Sequence, residues 1–121
     1  FPDDSFDLTM SCGVFEFVAN PDHAIAEMAR VTKPGGIIGL TTELPRSAYL
    51  QVNETIAKLL FQLMMIKPSV PDFHFHSQTL IDKCFETAGI GKLSETSFAA
   101  YGSPLTGRFC YRTSVGRKQQ L

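Results

Sequence analysis

The 121-residue sequence predicts an α/β fold. Three observations carry that prediction. First, an apolar run, a helical period and a second apolar run follow one another within about 40 residues, the spacing of a βαβ unit, which requires a parallel strand pair and a right-handed crossover. Second, two further stretches keep a helical period. Third, two β-like stretches close the chain. The length fits one domain over residues 1–121, because domains most often run to roughly 100–150 residues. With 44% hydrophobic and 19% charged residues, the chain can build a core, and wholesale disorder is excluded.

Phe6 to Cys12 (FDLTMSC) is short, apolar and closed by Gly13, so it reads as a strand. Asn20-Pro21 opens a helix: Asn20 can cap the free backbone N–H groups, and Pro21 suits the first helical position. Ala24, Ile25, Met28 and Ala29 form its apolar stripe. Lys33 is expected in its last turn, with Pro34-Gly35-Gly36 as the stop. Ile37 to Thr42 (IIGLTT) reads as a second, buried strand. From Ser47 to Ile66 the period is helical, with Tyr49, Val52, Ile56, Leu59, Leu60 and Leu63 on one side. Lys67 to Asp72 holds two prolines and predicts a loop. Ser77 caps a third helix whose Leu80, Ile81, Cys84, Phe85 and Ala88 face inward, with Gly89 at its end. The closing β-like stretches are about Leu93–Phe98 and Arg108–Thr113, joined through Gly102-Ser103-Pro104 and Gly107. In the latter, Phe109, Tyr111 and Thr113 alternate with Arg108, Cys110 and Arg112, so one face should be drier. The four basic residues from Arg108 onward, with no acidic ones, read as a solvated terminus.

Composition also bounds the function. Eleven basic side chains against 12 acidic ones leave a net charge of -1, which supplies no electrostatic footprint for nucleic acid. The densest apolar stretch, Leu59 to Ile66, is far short of the roughly 20 residues that cross a bilayer, so no membrane partner is expected. No signal-peptide pattern is present. Cys12, Cys84 and Cys110 lack CxxC spacing, which fits a reducing, cytoplasmic compartment. The chain starts at Phe1-Pro2 with no initiator methionine, and this reads as the middle of a longer segment.

The run FPDDSFDLTMSCGVFEFVANPDHAIAEMARVTKPGGIIGLTT resembles the second half of a class I S-adenosylmethionine-dependent methyltransferase, in particular the small-molecule (type 11-like) enzymes. Their pattern is a proline-aspartate turn, FD plus an apolar strand, a helix ending in (A/L)RV(L/T)KPGG, and another apolar strand. The likeness is specific over Phe1 to Thr42 and weaker beyond, although FHSQTLIDKCFETAGI (Phe75 to Ile90) resembles the family's next helix. The resemblance implies a Rossmann-like sheet of parallel strands with an antiparallel terminal pair, four of the family's seven strands. It also implies S-adenosylmethionine as cofactor and a small-molecule methyl acceptor. The family's glycine-rich loop is absent from this sequence, and there is no GxGxG. A four-strand sheet would leave the apolar edge at Phe6–Cys12 open to pairing and self-association. The competing class is therefore a non-catalytic, methyltransferase-like interaction module. A nicotinamide-dependent oxidoreductase half is a third reading, and no nicotinamide fingerprint supports it.

By this resemblance Ser11, Cys12, Gly13 and Val14 line the methionine and ribose side of the cofactor, with Gly13 permitting close backbone approach. The structural alternative is that Gly13 only makes the turn and Cys12 is a small core residue. Phe15 would cover the cofactor, since a π-face suits a sulfonium, or else pack. Glu16-Phe17 stands where many relatives have Glu-His. Thr41, Thr42 and Glu43 fall where the acceptor would approach, or are the hydrophilic end of a buried strand. His74 and His76 flank Phe75 and face the same way if that segment is extended. One of them could be a general base; the alternative is a surface loop with one histidine near the helix cap. No third ligand accompanies them, so no metal is expected. His23 should face solvent. The Ser47–Ile66 helix could cover an apolar acceptor, pack on the sheet or make a subunit contact.

Overall fold

The structure, a computed structural model, describes residues 1–44, 48–65, 74–99 and 110–120, with the side chains of 48–51, 53 and 54 left aside. Ser47, Ile66, the Lys67–Asp72 loop, the Gly102-Ser103-Pro104 and Gly107 connection, Arg108 and Phe109 fall outside the described residues. Four strands, β1 (Phe6–Ser11), β2 (Thr32–Glu43), β3 (Ile90–Ala99) and β4 (Cys110–Lys118), form one sheet in the order β1-β2-β4-β3. β1 and β2 are parallel, and β4 runs antiparallel to both β2 and β3. This is the mixed α/β sheet expected from the sequence.

Helix α1 (Pro21–Val31) connects the parallel pair and buries Ile25 and Ala29, with Ala24 and Met28 partly buried beside them. Asn20 is its N-cap by position, but its side chain makes no capping bond. Pro21 satisfies the first turn without one, because it brings no N–H. The helix ends earlier than expected. Thr32 closes it, its hydroxyl donating to the Met28 carbonyl at 2.6 Å, and Arg30 rather than Lys33 is the basic residue of the last turn. Lys-Pro-Gly-Gly then lies within β2 as an irregularity, where the pairing jumps from Phe6↔Thr32 to Leu8↔Ile37. Gly35 turns through a φ of +80°. A Cβ at Gly36 would meet the Asp7 carbonyl at 3.0 Å, so the residue lets the two strands close up. Lys33 instead pairs with Asp7 at 2.9 Å.

Helix α3 (Gln78–Thr87) matches its expected register. The Ser77 hydroxyl accepts from the Leu80 N–H at 3.2 Å, and Ile81, Cys84 and Phe85 are buried. Leu80 is more exposed than its place in the stripe suggested. Helices α1 and α3 sit on one sheet face, where Phe15, Ile38, Leu40 and Ile90 complete the core.

Three readings are corrected. The terminal segment is not a solvated tail: β4 lies between β2 and β3, Arg112 pairs with Glu95, and Lys118 donates to Asp4 and to the Thr32 carbonyl. Its drier face is the one with Ser114 and Gly116, both buried, not the one with Tyr111 and Thr113. Helix α2 (Ala48–Leu63) is present, yet Val52, Ile56, Leu59, Leu60 and Leu63 are all more than half exposed. Of the readings open for this stripe, packing on the sheet is not made among the described residues. No described helix is long and apolar enough to cross a membrane.

Candidate active site

In an open α/β sheet, ligands bind beyond the carboxyl ends of the parallel strands, where strand order changes direction. Here those ends are Ser11–Val14 after β1 and Thr41–Glu43 at the end of β2. Gly13 makes the turn out of β1 with a φ of +66°, in the left-handed region that glycine occupies without penalty. Its N–H donates to the Thr41 hydroxyl at 3.1 Å, tying the turn to the neighbouring strand. Cys12 and Val14 are exposed and Ser11 is partly buried. These four residues line an open shelf at the end of β1.

The 3-10 turn Phe15–Phe17 follows directly. The Phe15 side chain, 2% exposed, belongs to the core shared by α1, α3 and the sheet. That position matches the packing alternative for Phe15. Phe17, by contrast, is half exposed. Between them Glu16 is buried, one carboxylate oxygen having neither a partner nor solvent.

The two histidines separate in role. Their rings stack with centroids 6.4 Å apart, so both face one way, as alternation implies. His76 is buried, and its Nε2 lies 3.0 Å from the Phe15 carbonyl and 2.8 Å from the Val18 carbonyl. Carbonyl oxygens only accept, so Nε2 carries the proton and is shared between them. His76 therefore pins the 3-10 turn to the start of α3. His74 is half-buried, and its backbone N–H donates to the Glu16 carbonyl at 2.7 Å. His23 projects into solvent.

At the end of β2, Thr41, Thr42 and Glu43 are all buried. Thr42 faces the helix side with Ile38 and Leu40, and its hydroxyl has no partner. Beside it across the strand pair stands Arg112, whose Nη1 donates to the Gln78 side chain at 3.2 Å and whose Nε lies 3.2 Å from Glu95. Lys92 joins Glu95 to Asp82. Partial burial works to raise the Asp82 pKa, but the bonds from Lys92 and Gln78 outweigh it and hold the group below its ordinary value. Burial pushes the Cys84 thiol up, which suits an inert core cysteine.

Glu16 and Arg112 are the site-end residues to which sequence reasoning assigned no individual role. Glu16 had a detectable signal, a charged residue between two phenylalanines. No grouping of His, Cys, Asp and Glu among the described residues could hold a metal. Two clefts lie elsewhere. One, about 530 Å³, is at the opposite end of the sheet beside Gly35, Gly91 and Arg117, and the other, about 450 Å³, lies between α1 and α3 beside Asn20, Leu80 and Cys84.

The sheet, its helix layer and the glycine turn at the end of β1 make a mixed α/β fold that solved methyltransferases share. A protein-family model described as "Methyltransferase domain" matches residues 1–40, the span that holds the FD strand and the RVTKPGG segment. Three solved structures share the fold. A SAM-dependent methyltransferase from Methanosarcina mazei aligns with a TM-score of 0.66 at 16% identity, over 98% of this chain and 62% of that one. A methyltransferase from Haloferax volcanii, solved with the activator Trm112, aligns with a TM-score of 0.66 at 21% identity, over 99% and 57%. Magnesium protoporphyrin IX methyltransferase from Synechocystis, solved with S-adenosylhomocysteine, aligns with a TM-score of 0.62 at 14% identity, over 95% and 46%. The chain thus spans about three fifths of the length of the first two, and less of the third. No curated protein sequence matches it.

Proposed function

We propose that this chain forms the C-terminal part of an S-adenosylmethionine-dependent methyltransferase site, acting on a small-molecule acceptor. The observation that carries the reading is the Gly13 turn. A positive-φ glycine at the carboxyl end of a parallel strand, its amide held by Thr41 of the next strand, offers bare backbone to a ligand at the place where this class of sheet binds one. Ser11, Cys12, Gly13 and Val14 would line the cofactor on that shelf. Thr42, Glu43 and His74 stand on the acceptor side, with His76 as the residue that positions the turn.

When bound, S-adenosylmethionine supplies an activated methyl group on a sulfonium. The protein's share of the work is then to bring acceptor and methyl carbon into line and to exclude water. Calorimetric titration with S-adenosylhomocysteine tests the reading, on the longest natural chain that contains these residues. One saturable site per chain is expected; the absence of heat at millimolar ligand would refute it.

A second reading has its own observation. β1 is the sheet edge, and Leu8 and Met10 on it are more than half exposed. An open apolar strand edge pairs readily with another chain, so association through β1 is the alternative function.

A further inference from the structure

The end of the sheet opposite the Ser11–Val14 shelf carries a cleft of about 530 Å³, a size that accommodates a small organic ligand. Two irregularities and a strand end build it. The Lys-Pro-Gly-Gly segment interrupts β2 on one side. On the other, β3 bulges: Lys92 pairs with Gly116 and Ser94 with Val115, which leaves Leu93 as the extra residue. Such bulges re-aim side chains and recur beside functional sites; Leu93 is more than half exposed where it lines the cleft. The end of β4 runs between β2 and β3 and brings Arg117 to the same place.

The charge of the lining is one-sided. Three cationic side chains and two carboxamides line the cleft, and no carboxylate does. Two of the cations are already engaged, Lys92 by Asp82 and Glu95, and Lys118 by Asp4 and the Thr32 carbonyl. Arg117 is not: it is exposed, and among the described residues its guanidinium has neither an ion pair nor a hydrogen bond. The side-chain amides of Gln119 and Gln120 likewise have no partner among the described residues. Both lie against glycines. A Cβ at Gly35 would stand 3.1 Å from Gln120 Nε2, and one at Gly91 would stand 3.8 Å from Gln119 Nε2. The cleft thus gathers free N–H donors from three side chains around one uncompensated positive charge.

We propose that this cleft binds a phosphate monoester. The planar guanidinium fork of Arg117 matches two oxygens of a phosphate, and the carboxamide N–H groups of Gln119 and Gln120 donate to the remaining oxygen. Donors from three side chains suit the three free oxygens of a phosphate monoester better than the two of a carboxylate. The volume exceeds what a bare phosphate fills, and Leu93 supplies apolar surface for the body of the ester. This site is independent of the cofactor reading above: it lies at the other end of the strands, and S-adenosylmethionine carries no phosphate.

NMR titration of the longest natural chain that contains these residues, with phenyl phosphate and with inorganic phosphate, tests the proposal. Phenyl phosphate should give saturable amide shifts at Gly35, Gly91, Leu93 and Arg117, away from Ser11–Val14. Arg117→Gln should weaken that binding at least about tenfold, the loss of one charge-assisted pair. Its melting temperature should match that of the native protein, because the guanidinium holds nothing among the described residues. Leu93→Ser should weaken phenyl phosphate and leave inorganic phosphate unchanged. No saturation at millimolar ester, shifts confined to other regions, or an affinity indifferent to Arg117→Gln would overturn the proposal. A lowered melting temperature for Arg117→Gln would overturn it too, since the fold would then be what engages the guanidinium. Vesicles of phosphatidylcholine and phosphatidic acid separate a soluble ester from a lipid headgroup. No cosedimentation is expected, and binding to vesicles without binding to phenyl phosphate would refute the soluble ligand.

Discussion

His76 shows how a residue type can point to chemistry and be used for structure. Its Nε2–H is enclosed by two carbonyls of one turn, so removing the ring takes a donor from each, and the Phe15 carbonyl keeps only the Val18 N–H at 3.1 Å. His76→Ala should cost about 1–3 kcal/mol of stability, read as a lowered denaturation midpoint. Unchanged stability would show that the two carbonyls find other partners. Gly116 carries a packing constraint of the same scale. A Cβ there would collide with the Ile90 Cγ2 atom and stand 3.0 Å from the Phe85 ring. Gly116→Ala should therefore destabilise by about 1–3 kcal/mol through overpacking, again read from denaturant melts.

At the scale of elements, the polar chain Asp82–Lys92–Glu95–Arg112 links α3, β3 and β4. Asp82 titrates below its ordinary value because of its bonds from Lys92 and Gln78, although burial opposes the shift. Lys92 is held above its ordinary value, first by Glu95 and then by Asp82. A carboxylate depressed in the folded state stabilises the fold above its unfolded pKa, near 4 for aspartate, and that contribution is lost as pH falls through the lower folded value. The raised lysine works in the opposite sense: its contribution is complete below about pH 10 and is lost above it. Melting temperature should thus be flat in these groups from about pH 5 to 9 and fall on acidification below about pH 4. Asp82→Asn should flatten the acid limb, and an identical limb in that variant would contradict the assignment.

The same scale explains what could be read from the sequence. Helix α3 was legible because every signal was local: a serine cap, a 3.6-residue period and Gly89 at φ +70°. The βαβ unit was legible for the same reason. The fate of Lys33-Pro34-Gly35-Gly36 was not, because these residues stop a helix and serve a strand irregularity equally well, and only pairing with β1 decides between the two. The burial of Arg112 and Lys118 depended on β4 entering the sheet between β2 and β3. That is a non-local event, and a run of basic residues does not encode it. At the end of β1, the Gly13 turn was legible from its place after an apolar strand, whereas a cofactor role for it came only from the family resemblance. Glu16 was noticed but given no role, since its burial comes from the 3-10 turn folding back under Gly13.

For the molecule as a whole, the unequal covering of the sheet is the dominant feature. The face toward α1 and α3 is closed over a continuous core, whereas Leu8 and Met10 on β1 and the apolar side chains of α2 remain exposed. Such surface drives association. Light scattering on this chain should show a concentration-dependent rise in mass that Met10→Lys suppresses; a monodisperse monomer at high concentration would oppose that expectation. Fold alone does not fix activity, so the central claim stands on the shelf at Ser11–Val14.

The most direct test is amide chemical-shift mapping by NMR during titration with S-adenosylhomocysteine. The account predicts saturable shifts centred on Ser11, Cys12, Gly13 and Val14 and extending to Thr41, whose hydroxyl holds the Gly13 amide. Shifts confined to the distant cleft around Gly35, Gly91 and Arg117, or no shifts at all, would contradict it.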